Sequence, residues 1–380
     1  MPRIAVTALV CLTLVAGPVP AQAAPATGPD AAGASRLRMA WSVGPAEAGI
    51  LTAPVYLAGS TYHMEGVADP AKIRSLARVV RRDAGTGRQL PFAAGPTDSI
   101  TGYRPATDGH ALYVTTFREQ TRISAFRPDG RLLWGQDQPG EVFPNQPMLA
   151  GRYLITVSKS GCDVECDRIT VFAWHADDGR PAWSHVLPGG YVKLATTPGY
   201  AAVVIDTAGT TTLTVLDVTT GGPLWSKVVP GGSGIALDAT HAYVTDGALR
   251  AYGVRDGNPR WAGEDSGYTA AYPSRYGIFV TAGSRYAAYD STGRRRWWSG
   301  VHPRSTLTVD TGIVYFQQSS TSRGAGSAYL VAVRASNGAV LSRVRIWRRV
   351  SIGDVAVGGG RVFTKALNEK IVAFAPAPRP

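Results

Sequence analysis

The chain has 380 residues, 44% of them hydrophobic and 17% charged, with 44 glycines, 26 prolines and nine tryptophans. That hydrophobic share excludes a disordered polyelectrolyte, and so much glycine and proline argues for many tight turns rather than long helices. A net charge of +12 and a pI near 9.8 point to anionic partners.

Pro2 and Arg3 open a short basic segment, and Ile4 to Ala16 is an apolar run too short to span a membrane. Ala21-Gln22-Ala23 fits a signal-peptidase site, so residues 1–23 read as a signal peptide and the mature chain as secreted or wall-associated. Cys11 lies inside the apolar run, without the small-residue context that a lipid anchor needs. Residues 24–36, rich in Ala, Gly and Pro, read as a flexible linker. No later apolar stretch reaches membrane length, so no transmembrane segment is expected in the mature chain.

Leu37 to Trp41 looks like a final strand with nothing before it. Residues 53–92 are the least regular stretch. Asp69 to Val80 has helix-start chemistry, yet alignment on Gly87 sets Ala77 to Asp83 where other units have a third strand. We read a strand there, with room for a helical turn before it. The irregular segments 59–73, 159–167 and 318–327 read as loops between second and third strands.

The clearest unit is His241 to Trp261. Its β-prone runs are separated by Asp246-Gly247 and by Arg255-Asp256-Gly257-Asn258, and Gly234 to Leu237 precedes them. This is a four-stranded antiparallel meander. It has two apolar faces and cannot bury both alone, so it needs copies on either side. The turn into the last strand finds those copies, at Gly87, Gly130, Gly179, Gly221, Gly257, Gly293 and Gly338. The steps are 43, 49, 42, 36, 36 and 45 residues, the period of a propeller blade. An eighth unit is split: Gly360 to Phe363 and Lys370 to Phe374 lack a final strand, and Leu37 to Trp41 supplies one. The expected fold is all-β, an eight-bladed β-propeller over residues 37–376, closed by its two termini so that no blade is left incomplete.

A turn of the form (Asp/Thr)-Gly-x-x-x-Trp, repeated around a ring, resembles the PQQ-like or quinoprotein-type β-propeller repeat. Trp41, Trp134, Trp183, Trp225, Trp261 and Trp297 occupy its tryptophan position. The resemblance implies that these rings are structural wedges between blades. It embraces two kinds of protein: non-catalytic exported propellers of the BamB-like type, and quinoprotein dehydrogenases that use PQQ with calcium to oxidise an alcohol or sugar. The dehydrogenases carry an adjacent cysteine pair beside the cofactor, whereas the cysteines here are four residues apart.

Cys162 and Cys166 are the only mature cysteines and face one another across a hairpin. In an exported chain they are expected to form a disulfide. Two thiolates with no nearby histidine make only half a zinc site. No nucleophile elbow, zinc-protease motif, phosphate loop or acidic calcium loop is present, and the six histidines are scattered over different units. The sequence therefore points to no catalytic, cofactor or metal residues, and to a monomeric binding scaffold. Its basic segments suggest an anionic cell-wall polymer, with a protein partner as the other class and PQQ with calcium as the enzymatic alternative. Nucleic-acid binding is disfavoured because none of its usual modules is present. The candidate ligand residues are Trp298, Arg304, Arg345, Trp347, Arg348 and Arg349, where aromatic and basic side chains run together out of two fourth strands.

Overall fold

Glycine and aspartate turns cut the chain into hairpins, and the hairpins stack around an axis. The computed structural model describes residues 36–45, 49–67, 76–94, 97–98, 103–117, 120–139, 146–162, 166–207, 209–231, 234–283, 285–301, 303–320, 326–347, 353–366 and 370–377. Among these the secondary structure is all β, in eight antiparallel sheets. The second to seventh blades are continuous four-stranded meanders. The fifth runs Gly234–Leu237, His241–Thr245, Gly247–Gly253 and Pro259–Tyr268. The first blade is broken into six short and long strands around Ser60–Val67 and Leu76–Asp83. The strand expected at Ala77 to Asp83 is present; residues 68–75, where a helical turn had room, lie outside the described residues.

The eighth blade joins the ends of the chain. Val355–Gly358, Arg361–Ala366 and Lys370–Pro376 form three strands, and Leu37–Val43 adds the fourth, with Leu37 opposite Pro376 and Val43 opposite Ile371. First strands meet from blade to blade, so they ring the axis: Val55–Leu57 touches both Val355–Gly358 and Ala106–Thr107, and Thr308–Asp310 touches Val355–Gly358. Residues 1–35, where a signal peptide and most of a linker are expected, lie outside the described residues.

Each seam between blades is a buried apolar layer, because alternate residues of the strands face opposite neighbours. Ile155, Val157, Ile169 and Val171 of the third blade pack on Val192, Leu194 and Val203 of the fourth. The seam between eighth and first blades differs. Its apolar cluster is small, Ala84, Ala356, Phe363 and Ala373 with Trp41 and Tyr56, and beside it lies a buried polar group. His63 Nε2 meets Glu65 Oε1 at 2.8 Å, and Arg82 reaches the same oxygen at 3.3 Å and the Gly44 carbonyl at 3.0 Å. Burial pushes the His63 pKa down, against the pull of Glu65, so its neutral form is favoured.

The tryptophans lock successive blades by one repeated contact. Trp134 donates its indole N–H to the Ala176 carbonyl at 2.9 Å, Trp183 to Val218 at 2.7 Å, Trp225 to Val254 at 2.8 Å and Trp297 to Ala335 at 3.0 Å. Each ring lies over the turn glycine of the next blade. A Cβ on Gly179 would sit 2.4 Å from the Trp134 ring, and one on Gly221 would sit 2.5 Å from Trp183. The same glycines hold φ of +72° and +71°, so the turn and the close approach both require glycine. Where Pro91 replaces tryptophan, Phe92 covers Gly130 and Tyr62 donates to the Pro128 carbonyl at 2.8 Å. Where Ser342 replaces it, the serine oxygen accepts the Leu37 N–H at 3.0 Å.

Two expected loops are shorter than the sequence suggests. Tyr153–Cys162 and Cys166–His175 are ten-residue strands, and Ile313–Ser320 and Ser327–Arg334 likewise extend into segments read as insertions. Polar residues such as Lys159 and Ser160 break the apolar alternation, but their backbone continues the ladder, with Lys159 opposite Ile169. In the first blade, Ser60–Val67 is itself the second strand rather than part of a loop from Gly59.

The turns draw on aspartates. Asp217 accepts the Thr219 and Thr220 amides at 2.8 and 3.1 Å, and Asp290 those of Thr292 and Arg294 at 2.9 and 3.0 Å. Hydrogen bonds, led by the Thr219 and Thr292 hydroxyls, hold these two carboxyls below the usual range; Asp83 is held down likewise, by the Thr86 hydroxyl first. A depressed folded pKa gives stability that is present above the unfolded value, about 3.9, and lost as pH falls through the folded values. The melting temperature should therefore be level from pH 7 to 5 and fall below about pH 4. An Asp217→Asn/Asp290→Asn variant should show a shallower acid limb; an identical limb would remove the turns as its cause.

Candidate functional site

Antiparallel order sorts the connections to two ends of the ring. First-to-second and third-to-fourth turns share one end; second-to-third turns and the crossings between blades share the other. The turn end occupies its carboxylates in capping backbone amides, as at Asp129, Asp178, Asp217, Asp238, Asp256 and Asp290. The crossing end leaves several cations without a carboxylate partner among the described residues, which makes it the candidate site.

Around the axis at the crossing end, one half of the rim is tied by polar contacts between crossings. Arg104, just before the first strand of the second blade, reaches Asp354 of the eighth at 3.5 Å and the Pro54 carbonyl of the first at 3.0 Å. Thr306 donates to Asp354 at 2.6 Å, and Thr364 donates to the Asp354 carbonyl at 3.0 Å. Gln317 donates to the Thr364 hydroxyl and to the Lys365 carbonyl, and Lys365 donates to the Leu51 carbonyl at 3.1 Å. Burial lowers the pKa values of Arg104 and Lys365, while Asp354 raises both. The Arg104 Nε and Gln317 Oε1 atoms are buried with no hydrogen-bond partner among the described residues. Four blades are thus cross-braced at one half of the rim.

The other half is more open. Tyr191 begins the first strand of the fourth blade and is 57% exposed. Lys159, near the end of the second strand of the third blade, holds its ammonium 5.6 Å from the Tyr191 ring centroid. Burial lowers its pKa. Lys193 pairs with Asp206 at 3.4 Å beside them. A shallow depression of about 230 Å³ on the outer wall of the fifth blade, between Tyr252 and Trp261, has no convergent charged groups beyond Arg250 and Arg260.

The basic aromatic residues singled out in the sequence are spread over several faces. Trp297 lies opposite Ala288, in the core between sixth and seventh blades, whereas Trp298 lies opposite Ala287, on the side of the fifth. Trp298 is 61% exposed on that side. Trp347 packs partly into the core between seventh and eighth blades, with Lys370 Nζ 4.6 Å from its ring. Arg345 is exposed and lies opposite Tyr329, whose ring packs toward the sixth blade and carries Arg343 at 3.9 Å. Arg304 is exposed beside the crossing, its amide bonded to the Gln317 carbonyl at 2.8 Å. Arg348 and Arg349 lie outside the described residues. The six are therefore not one cluster: Arg304 and Arg345 share the crossing end, and the two tryptophans face different seams. Cys162 and Cys166 are direct backbone partners across their hairpin.

Sequence reasoning missed the Arg104–Asp354 brace and the Tyr191–Lys159 pair. Their partners are 250 and 32 residues apart, and only the ring brings them together. Alternation did carry one usable signal: once Trp297 holds the motif position, Trp298 must point the other way.

An eight-bladed ring with indole-on-glycine locks defines a PQQ-like β-propeller. The family model described as the outer membrane protein assembly factor BamB matches residues 75–235 and 173–297, over half of the chain, and the chain belongs to that family. Solved structures share the fold. BamB from Moraxella catarrhalis is 14% identical with a TM-score of 0.56, covering 89% of this chain and 99% of its own. The computationally designed Ika8 protein is 12% identical with a TM-score of 0.63, covering 87% and 96%. The quinohemoprotein alcohol dehydrogenase from Comamonas testosteroni is 12% identical with a TM-score of 0.62, covering 93% and 79%. No curated protein sequence matches the chain.

Proposed function

We propose that this protein is an exported, non-catalytic binding propeller whose crossing end holds an anionic envelope polymer. The observation that carries the reading is a set of cations at the crossing end with no carboxylate beside them among the described residues. The turn end occupies its aspartates in its own backbone, while Arg304, Arg345 and Lys159 at the crossing end have no carboxylate partner among the described residues. On a chain of net charge +12 these cations would draw an anionic ligand to the crossing end. Export is supported by the apolar run ending at Ala21-Gln22-Ala23. A protein partner remains the other class, since the family description names an assembly factor.

The dehydrogenase reading asks for PQQ beside calcium. Calcium takes six to eight oxygens, several from carboxylates. The carboxylates described at the crossing end include Asp354, Asp206 and Asp246, already engaged by Arg104 and Thr306, by Lys193 and Thr211, and by Arg250. Among the described residues no group of three His, Cys, Asp or Glu side chains is arranged to hold a metal. The two mature cysteines are cross-strand partners in a hairpin rather than chain neighbours. These residues do not fit that cofactor.

The test is retention of the purified mature protein on immobilised poly(glycerol phosphate) and polygalacturonate as salt is raised. Binding should be strong at about 20 mM salt and lost by about 0.5 M, where the screening length falls from roughly 20 Å to 4 Å. An Arg304→Gln/Arg345→Gln variant should elute at clearly lower salt. Elution of variant and wild type together would reduce these arginines to a charged rim, and a quinone absorbance band formed on adding PQQ and calcium would revive the enzyme.

A further inference from the structure

We propose that Tyr191, Lys159 and Lys193 form a subsite for an acidic sugar unit at the axial rim of the crossing end. The inference rests on the polymer-binding reading and names the chemistry its ligand must have.

Tyr191 is the first residue of an axis-lining strand, placed by the turn at Pro188-Gly189-Gly190. Gly190 has φ of +142°, and a Cβ there would sit 2.6 Å from the Asp206 carbonyl, so the chain can enter this strand closely only with glycine. The neighbouring Val192 and Leu194 are buried in the seam with the third blade and anchor the strand. The ring is thus held on a rigid element yet is 57% exposed, among the most open large side chains of the molecule. An aromatic ring left in water at a sheet end has one apolar face available for stacking. Pyranose sugars present C–H groups whose positive edge suits the negative face of such a ring.

The charges beside it make the sugar acidic. Lys159 approaches the ring across the seam from the third blade, where it lies opposite the buried Ile169, and its ammonium has no carboxylate or hydrogen-bond partner among the described residues. A half-buried ammonium without a counter-ion carries a desolvation cost that an arriving carboxylate would relieve. Lys193 stands on the same strand as Tyr191, two residues on, and so on its side of the sheet. Asp206 and Thr211 hold it in place from the second and third strands, Thr211 donating to Asp206 at 2.6 Å. A stacking ring flanked by two ammonium groups from different blades matches one uronate unit. A phosphodiester would use the lysines and leave the ring idle.

Titration calorimetry of the mature protein with tri-galacturonate, a neutral trisaccharide and poly(glycerol phosphate) tests this at about 20 mM salt. Tyr191→Ala should weaken tri-galacturonate by about tenfold and Tyr191→Phe by less than about twofold, the range expected for one aromatic contact. Lys159→Gln should weaken it by about fivefold, and the neutral sugar should bind at least tenfold more weakly than the acid. Poly(glycerol phosphate) binding should change less than about twofold in Tyr191→Ala. Melting temperatures within about 1 °C of wild type would show that an exposed side chain was removed without unfolding. If tri-galacturonate binding ignores Tyr191 while both polymers still bind, the subsite is wrong and the polymer reading stands. If neither anionic ligand binds, both fall.

Discussion

Trp297→Ala should destabilise the protein by about 3–5 kcal/mol, and Trp298→Ala by less than about 0.5 kcal/mol, although the two are chain neighbours. Trp297 covers Gly338, bonds the Ala335 carbonyl at 3.0 Å and packs edge-on against Tyr286 at 5.2 Å. Its loss leaves a cavity and an unpaired carbonyl in the seam between two blades. Trp298 is 61% exposed and leaves nothing buried behind. The lock can also be broken from its other half. Gly179→Ala places a methyl 2.4 Å from the Trp134 ring at φ of +72°, which should cost about 3 kcal/mol, roughly 1 of it from the backbone alone. In a Trp134→Ala background the steric part disappears, so Gly179→Ala should then cost only about 1 kcal/mol. Urea midpoints of the four proteins in this cycle measure the coupling. Additive costs would mean that the indole does not rest on the glycine.

The blade architecture was legible because it rests on short-range chemistry repeated many times. A glycine that must hold positive φ marks one seam, with tryptophan four residues later in five of the seven turns, and the seven turns together mark a ring. The split eighth blade was legible from a missing strand at one end and an orphan strand at the other. Substituted locks were not: nothing local tells that Phe92 and Tyr62 together replace an indole, since Tyr62 comes from another strand of the blade. Strand length was misjudged at Lys159 and at Gln318 because polar residues can extend a ladder beyond the core that fixes its apolar pattern. The rim chemistry was the least legible. Arg104 and Asp354 meet only because the ring closes, and Tyr191 meets Lys159 across a seam between blades. A sequence shows which residues are charged, while the closure of the ring decides which charges find partners.

A chain beginning at Ser42 should unfold far more readily than one beginning at Arg36, by on the order of 5 kcal/mol. The six residues removed carry three linked interactions. Leu37, Arg38, Met39 and Trp41 pair with Pro376, Ala375, Phe374 and Ala373, closing the edge of the eighth blade. Leu37 donates to Ser342, the tie to the seventh blade where the indole lock is missing. Trp41 stacks over Gly87, bonds the Ala84 carbonyl at 3.1 Å and meets Phe363 at 6.0 Å, locking the eighth blade to the first. That last seam has the smallest apolar cluster and holds the buried His63, Glu65 and Arg82 group, so without Trp41 water gains access to charges that burial had sheltered. The exposed Lys370–Pro376 edge would also invite pairing between molecules, so the shortened chain should aggregate as it unfolds. A synthetic peptide of residues 36–44 added in excess should restore much of the lost melting temperature, because a strand bound only by the folded ring stabilises it by mass action. Equal melting temperatures for the two chains, or no response to the peptide, would show that the ring is held closed by its remaining seams alone.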